Sequence, residues 1–143
     1  MQSKRVVKTS ITINGKKYLL DTNIVIDLFS GDSDVIAKIQ SIKNPFISSI
    51  TIGELYYGAY NSGIPHKHIK QIEDFLTISK IVNVEYSTAK YYAEIKTQLR
   101  KNGTPIPEND IWLSATTIEN DLILVTKDKH LKMVKNIELL FLG

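Results

Sequence analysis

Residues 18–29, YLLDTNIVIDLF, decide the fold. Tyr18 to Leu20 is a short apolar run that stops at Asp21, and IVIDLF then reads as the start of a helix. The same alternation repeats along the chain. DVIAKIQSI places Val35, Ile36, Ile39 and Ile42 on one helical face. PFISSI (Pro45 to Ile50) is a short β-branched strand, and TIGELYYGAY after it is a helix that NSGIP breaks. HKHIKQIEDFL carries Ile69, Ile72, Phe75 and Leu76 on one face, and IVNV (Ile81 to Val84) is a strand. STAKYYAEIKTQLRKNG is a helix with Ser87 as N-cap, Arg100 and Lys101 in its last turn and Gly103 as its stop. NDIWLSATTIEN is a helix capped by Asn109, with Ile111, Ala115 and Ile118 inward. LILV (Leu122 to Val125), a turn and short helix at TKDKHL, and a last strand IELLFL (Ile137 to Leu142) complete it. Strands separated by helices form βαβ units, so the class is α/β with a parallel sheet. Nearly all-apolar strands agree, because a parallel sheet is covered on both faces.

The chain of 143 residues fits one domain. Its 43% hydrophobic and 23% charged residues are ordinary for a globular protein and argue against disorder. The absence of cysteine excludes a disulfide framework, a thiolate zinc site and a cysteine nucleophile. No apolar stretch reaches the roughly 18 to 20 residues of a membrane span. MQSKRVVKTS is basic, but no apolar segment of a secretory signal follows it, so a cytoplasmic protein is expected. The net charge of +3 permits a polyanionic partner without requiring one.

Acidic residues stand at special places. Asp21 ends the first strand, Glu54 lies in the first turn of the helix after the second, Asp110 opens a later helix, and Asp128 follows LILV. Ligands of open α/β sheets bind beyond the carboxyl ends of the strands, where these groups gather. Carboxylates brought together there repel one another, and a bound cation relieves the repulsion. All-oxygen ligation selects a hard ion, Mg²⁺ or Mn²⁺. Each residue also has a structural alternative. Thr51 and Glu54 have capping-box spacing, Asp110 favours a helix dipole, and Asp21 and Asp128 are natural caps. Asn23 and Thr126 either orient a carboxylate or a metal-bound water, or simply cap a helix and finish a strand.

With these residues in place the chain resembles a known family. YLLDTNIVIDLF, SSITIGELYYGAY, IPENDIWLSATTIEND and LILVTKDKHL look, in this order, like the motifs of PIN-domain ribonucleases, and most resemble VapC-type toxins of toxin–antitoxin pairs. The resemblance covers residues 18–143 and leaves 1–17 as a basic N-terminal extension. It maps the family's acidic positions onto Asp21, Glu54, Asp110 and Asp128. It implies a central parallel sheet of about five strands between helices and Mg²⁺- or Mn²⁺-dependent endonucleolysis of RNA. It also implies a homodimer and a cognate antitoxin. The alternatives are a housekeeping PIN-domain nuclease and a non-catalytic α/β binding module whose acidic residues only cap helices. A haloacid-dehalogenase-type phosphatase wants a second aspartate two residues after the first, where Asn23 stands. No glycine-rich phosphate loop follows the first strand, which argues against a nucleotide-binding module.

Other polar and aromatic residues carry weaker signals. His66 and His68 face different ways on a helix and belong to the surface, and His130, close after Asp128, reads less readily as a substrate contact than as a residue outside the site. Trp112 and the tyrosines of ELYYGAY suit core or dimer packing better than base stacking. Asp27 reads as a solvated helix residue and Asp121 as a loop residue. Asn14-Gly15 is a hairpin signal, at odds with a central strand at Tyr18 to Leu20, so residues 9–14 are expected as a small ribbon or an ordered arm elsewhere.

Overall fold

The computed structural model describes residues 6–8 and 15–143. Strands β1 (Val6–Lys8), β2 (Tyr18–Leu20), β3 (Phe46–Ser48), β4 (Lys80–Val82), β5 (Ile123–Thr126) and β6 (Glu138–Phe141) form one parallel sheet in the order β1-β6-β5-β2-β3-β4. The five strands expected from sequence are β2 to β6. β1 is an addition from the basic extension, pairing with β6 through Val6 opposite Glu138. The ribbon or arm expected over residues 9–14 lies outside the described residues. β2 is central, with β5 on one side and β3 on the other.

The helices are α1 (Thr22–Phe29), α2 (Ser33–Ile39), α3 (Ser49–Tyr60), α4 (Pro65–Thr77), α5 (Thr88–Lys101) and α6 (Glu108–Glu119), with a 3₁₀ turn at Lys129–Met133. Strand side chains alternate between two cores. Tyr18, Leu20, Ile47, Ile123 and Val125 pack with Ile24, Val25, Leu55 and Ile72 of α1, α3 and α4. Leu19, Leu124 and Leu139 pack on the other face with Ile95, Leu99, Ile111 and Leu113 of α5 and α6. The crossover after β2 therefore runs over one face and the one after β5 over the other. Between these neighbouring strands the chain order reverses, and beyond their carboxyl ends lies the place where open α/β sheets form a ligand crevice.

Several local expectations change. α3 begins at Ser49 and is capped by Ser48, whose Oγ accepts from the Thr51 N–H at 3.1 Å. Thr51 and Glu54 thus form no capping box, and Glu54 falls in the second turn, because the strand before it ends at Ser48. α6 starts at Glu108 from Pro107, so Asn109 lies within the first turn instead of capping it. Ser87 makes no side-chain cap; its hydroxyl and that of Thr88 reach the Glu119 carboxylate on α6. Ile36 is 37% exposed, while Val35 and Ile39 are buried, because α2 ends at Ile39 and turns only two residues inward. Gly103 ends α5 as expected, at a φ of 67° that costs glycine no Cβ clash. Asp121 is a loop residue before β5, with φ 52°.

Candidate active site

Asp21 ends β2 and caps α1. Its Oδ1 accepts from the Thr22 N–H at 2.7 Å. Its Oδ2 accepts from Thr126 Oγ1 at 2.7 Å and from Asn23 Nδ2 at 3.3 Å. Burial raises the Asp21 carboxyl above its ordinary range, and the Glu54 and Asp128 charges add to this against the lowering effect of the hydrogen bonds. Asn23 and Thr126, singled out from sequence, both meet Asp21.

Thr126 also accepts from the Asp128 N–H at 2.9 Å, so one hydroxyl ties the two aspartates together. Asp128 is the N-cap of the 3₁₀ turn, accepting from the His130 N–H at 2.9 Å. Two further contacts fix this bend. The Lys127 N–H donates to Asn23 Oδ1 at 3.2 Å, and Lys127 Nζ pairs with Asp27 Oδ2 at 2.6 Å. Asp27 is therefore a tether from α1 to the loop after β5, not a solvated residue.

Glu54 reaches the same crevice from α3. Its Oε1 accepts from Thr22 Oγ1 at 2.7 Å and its Oε2 from Asn109 Nδ2 at 3.3 Å. Sequence reading missed Thr22 and assigned Asn109 a different task; their only local signal is adjacency to Asp21 and Asp110. Asp110, in the first turn of α6, has a side chain 15% exposed. Its carboxyl is pushed up to about 7, first by burial, then by its hydrogen bond with Asp128 and the charges of Asp128, Asp21 and Glu54. Crowded like charge of this kind makes a carboxyl hold its proton more tightly.

The structure thus brings Asp21, Glu54, Asp110 and Asp128 into mutual electrostatic range. Asp110, Asp128 and His130 are closest, with one donor atom from each lying within 4.8 Å of the others. Among the described residues none of the four carboxylates forms an ion pair with a lysine or arginine. Acceptor-only oxygens, excess negative charge and a crevice open to solvent fit a hard divalent cation.

His66 is exposed on α4 and His68 is half-buried there; neither joins the cluster. Trp112 stacks on Tyr92 of α5, with ring centroids 4.1 Å apart, and so packs two helices together. Tyr57 and Tyr60 are 72% and 66% exposed on α3. Beside Glu54 a groove of ≈ 300 Å³ runs between α1, α3 and α4, lined by Ile26, Phe29, Leu55, Ala59, His68 and Ile72 among others. Among the described residues no helix is long and apolar enough to cross a membrane.

Residues 18–137 match the PIN domain model. Ribonuclease VapC2 of Haemophilus influenzae is 40% identical over 114 residues, covering 78% of this chain and 86% of that protein. The tRNA(fMet)-specific endonuclease VapC of Shigella flexneri is 28% identical over 120 residues, covering 78% and 86%. Among solved structures, VapBC2 from Rickettsia felis bound to a DNA fragment from its promoter aligns with TM-score 0.76 at 26% identity, over 85% of this chain and 96% of that one. VapBC-1 from nontypeable Haemophilus influenzae aligns with TM-score 0.77 at 27% identity, over 87% and 96%.

Proposed function

The chain belongs to the PIN-domain family, and we propose that it is an endoribonuclease that hydrolyses RNA phosphodiester bonds with a divalent cation, as the toxin of a toxin–antitoxin pair. The observation that carries this reading is the meeting of four carboxylates from four separate elements at the crevice between β2 and β5. A capping-only module explains part of the cluster, since Asp21 and Asp128 do cap helices. It does not explain Glu54, which accepts from side chains, or Asp110, whose carboxyl faces Asp128.

The chemistry follows from the donor set. Asp21, Glu54, Asp110 and Asp128 would hold Mg²⁺ or Mn²⁺, directly or through waters. When bound, the ion lowers the pKa of water and offsets charge on the phosphoryl oxygens. Thr22, Asn23 and Thr126 keep Asp21 in one orientation, so that its remaining lone pairs face the crevice. A carboxylate of the cluster accepts the proton of the attacking water. A new P–O bond forms as the ester P–O bond opposite it breaks, and the leaving oxygen is protonated from solvent. Single-stranded segments suit the open crevice, because their phosphates and bases are accessible.

The reading extends to partners and place. The PIN unit spans 18–143 and follows a basic extension, 1–17. An antitoxin lays an apolar segment in the groove beside Glu54 and sets an arginine against Glu54 or Asp128, displacing the cation. Two copies associate through helical surface near the exposed Tyr57 and Tyr60, in the cytoplasm. The test expresses the chain in a bacterial host with and without the neighbouring small reading frame and assays the purified chain on RNA with Mn²⁺ or Mg²⁺. Growth arrest relieved by the neighbour, with cation-dependent cleavage, supports the reading. A harmless chain that leaves RNA intact sinks it.

A further inference from the structure

His130 is the sole imidazole at the carboxylate crevice among the described residues, and its position has a consequence for which ion is held there. The residue sits in the 3₁₀ turn, where its backbone N–H is bound to Asp128 Oδ1. This folds the ring back over the same carboxylate. Its Nδ1 lies 3.0 Å from Asp128 Oδ1 and 3.8 Å from Asp110 Oδ2, a residue of a different helix. An ion bound at about 2.1 Å needs neighbouring donors about 3.0 Å apart and opposite donors about 4.2 Å apart. The separation to Asp128 matches neighbouring donors, and that to Asp110 lies between the two values, a gap that rotation of the ring closes. The ring is 58% exposed, so it can turn its lone pair inward without a desolvation cost, and a glutamine in its place meets no packed core. The neighbouring Lys127 is held by Asp27.

We propose that His130 Nδ1 is a ligand of the cation together with Asp110 and Asp128, and that it biases the site toward Mn²⁺ over Mg²⁺. The proposal rests on the carboxylate metal centre described above and adds one nitrogen to it. Mg²⁺ takes few protein ligands, all of them oxygen, whereas Mn²⁺ shares its taste for carboxylate but belongs to the first-row ions that also bind nitrogen, so an added imidazole helps Mn²⁺ more than Mg²⁺. The tautomer changes with loading. Without the ion, Nδ1 carries the proton and donates to Asp128; with it, the proton sits on Nε2 and Nδ1 supplies its lone pair.

The test loads the full chain with Mn²⁺ and reads nitrogen couplings to the ion by pulsed electron paramagnetic resonance. Mn²⁺ and Mg²⁺ dissociation constants are measured by titration of the wild type and of His130→Gln. The wild type is expected to show one histidine nitrogen coupling, which His130→Gln removes. The Mn²⁺ dissociation constant should rise about tenfold in the variant, with that for Mg²⁺ nearly unchanged. Mn²⁺ held without nitrogen coupling, or coupling that survives His130→Gln, overturns the inference and leaves the carboxylate centre standing. A wild-type chain that takes up no Mn²⁺ overturns both.

Discussion

Thr126 Oγ1 donates to Asp21 Oδ2 at 2.7 Å, joining the ends of two adjacent strands across 105 residues of sequence. The same oxygen accepts from the Asp128 N–H, so the position of one carboxylate is communicated to the other through a single buried hydroxyl. Thr126→Val keeps the shape and deletes both contacts. Losing a buried hydrogen bond of this kind costs about 1–3 kcal/mol. RNA cleavage should fall about 10- to 100-fold through weakened cation binding. Thermal unfolding and cation titration check this; Thr126→Ser should restore both.

Asp21→Asn should reduce cleavage by about 10²-fold or more, since it removes a charge from the proposed cation site. The folded chain should survive, because relief of the buried like charge offsets the loss of hydrogen bonds that Asp21 accepts from Thr126 and Asn23. Full activity with unchanged cation dependence would dismiss the site assignment.

The cation-free protein should lose stability as pH rises from near 4 to near 7. Asp110 titrates at about 7 when folded, against an ordinary 3.8. Within that window the folded chain holds a proton that the unfolded chain has released, so raising the pH favours unfolding. Melting temperatures across the window should fall, and Asp110→Asn should flatten the slope. Adding Mn²⁺ should stabilise more at the upper end, where the carboxylates are ionised. A flat wild-type profile would contradict the raised carboxyl.

Ile26→Glu should impair binding of the antitoxin while leaving RNA cleavage intact. Ile26 is exposed on α1 and lines the apolar groove, but its side chain belongs to no carboxylate contact. A charge there leaves the fold alone and opposes an apolar partner, at a cost on the order of 1–3 kcal/mol, or about 10- to 100-fold in affinity. Co-purification with the antitoxin and a protection assay on RNA report it. Unchanged protection would place the partner elsewhere.

The order of strands and helices along the chain, the two-sided sheet, and the places of Asp21 and Asp128 just after strands were legible in the chain. Each rests on local information: apolar runs that end at an aspartate, helical periodicity, and a glycine stop at Gly103. Helix starts were less legible, as Ser48, Pro107 and the Ser87–Glu119 contact show, because a cap competes with partners that are distant in sequence. The bonds of Thr22 and Asn109 to Glu54 span 32 and 55 residues, so no periodicity could reveal them. Their distances are set by the crossovers that carry α3 and α6 to the same edge. Likewise His130 was legible as a neighbour of Asp128, whereas its approach to Asp110 depends on how α6 lies against the turn after β5. The sequence by itself determined which side chains stand at strand ends, because pattern and punctuation act on neighbouring residues. Only the tertiary structure decided which of them share a hydroxyl or lie within reach of one another's charge, because those interactions act through space and fade within a few ångströms.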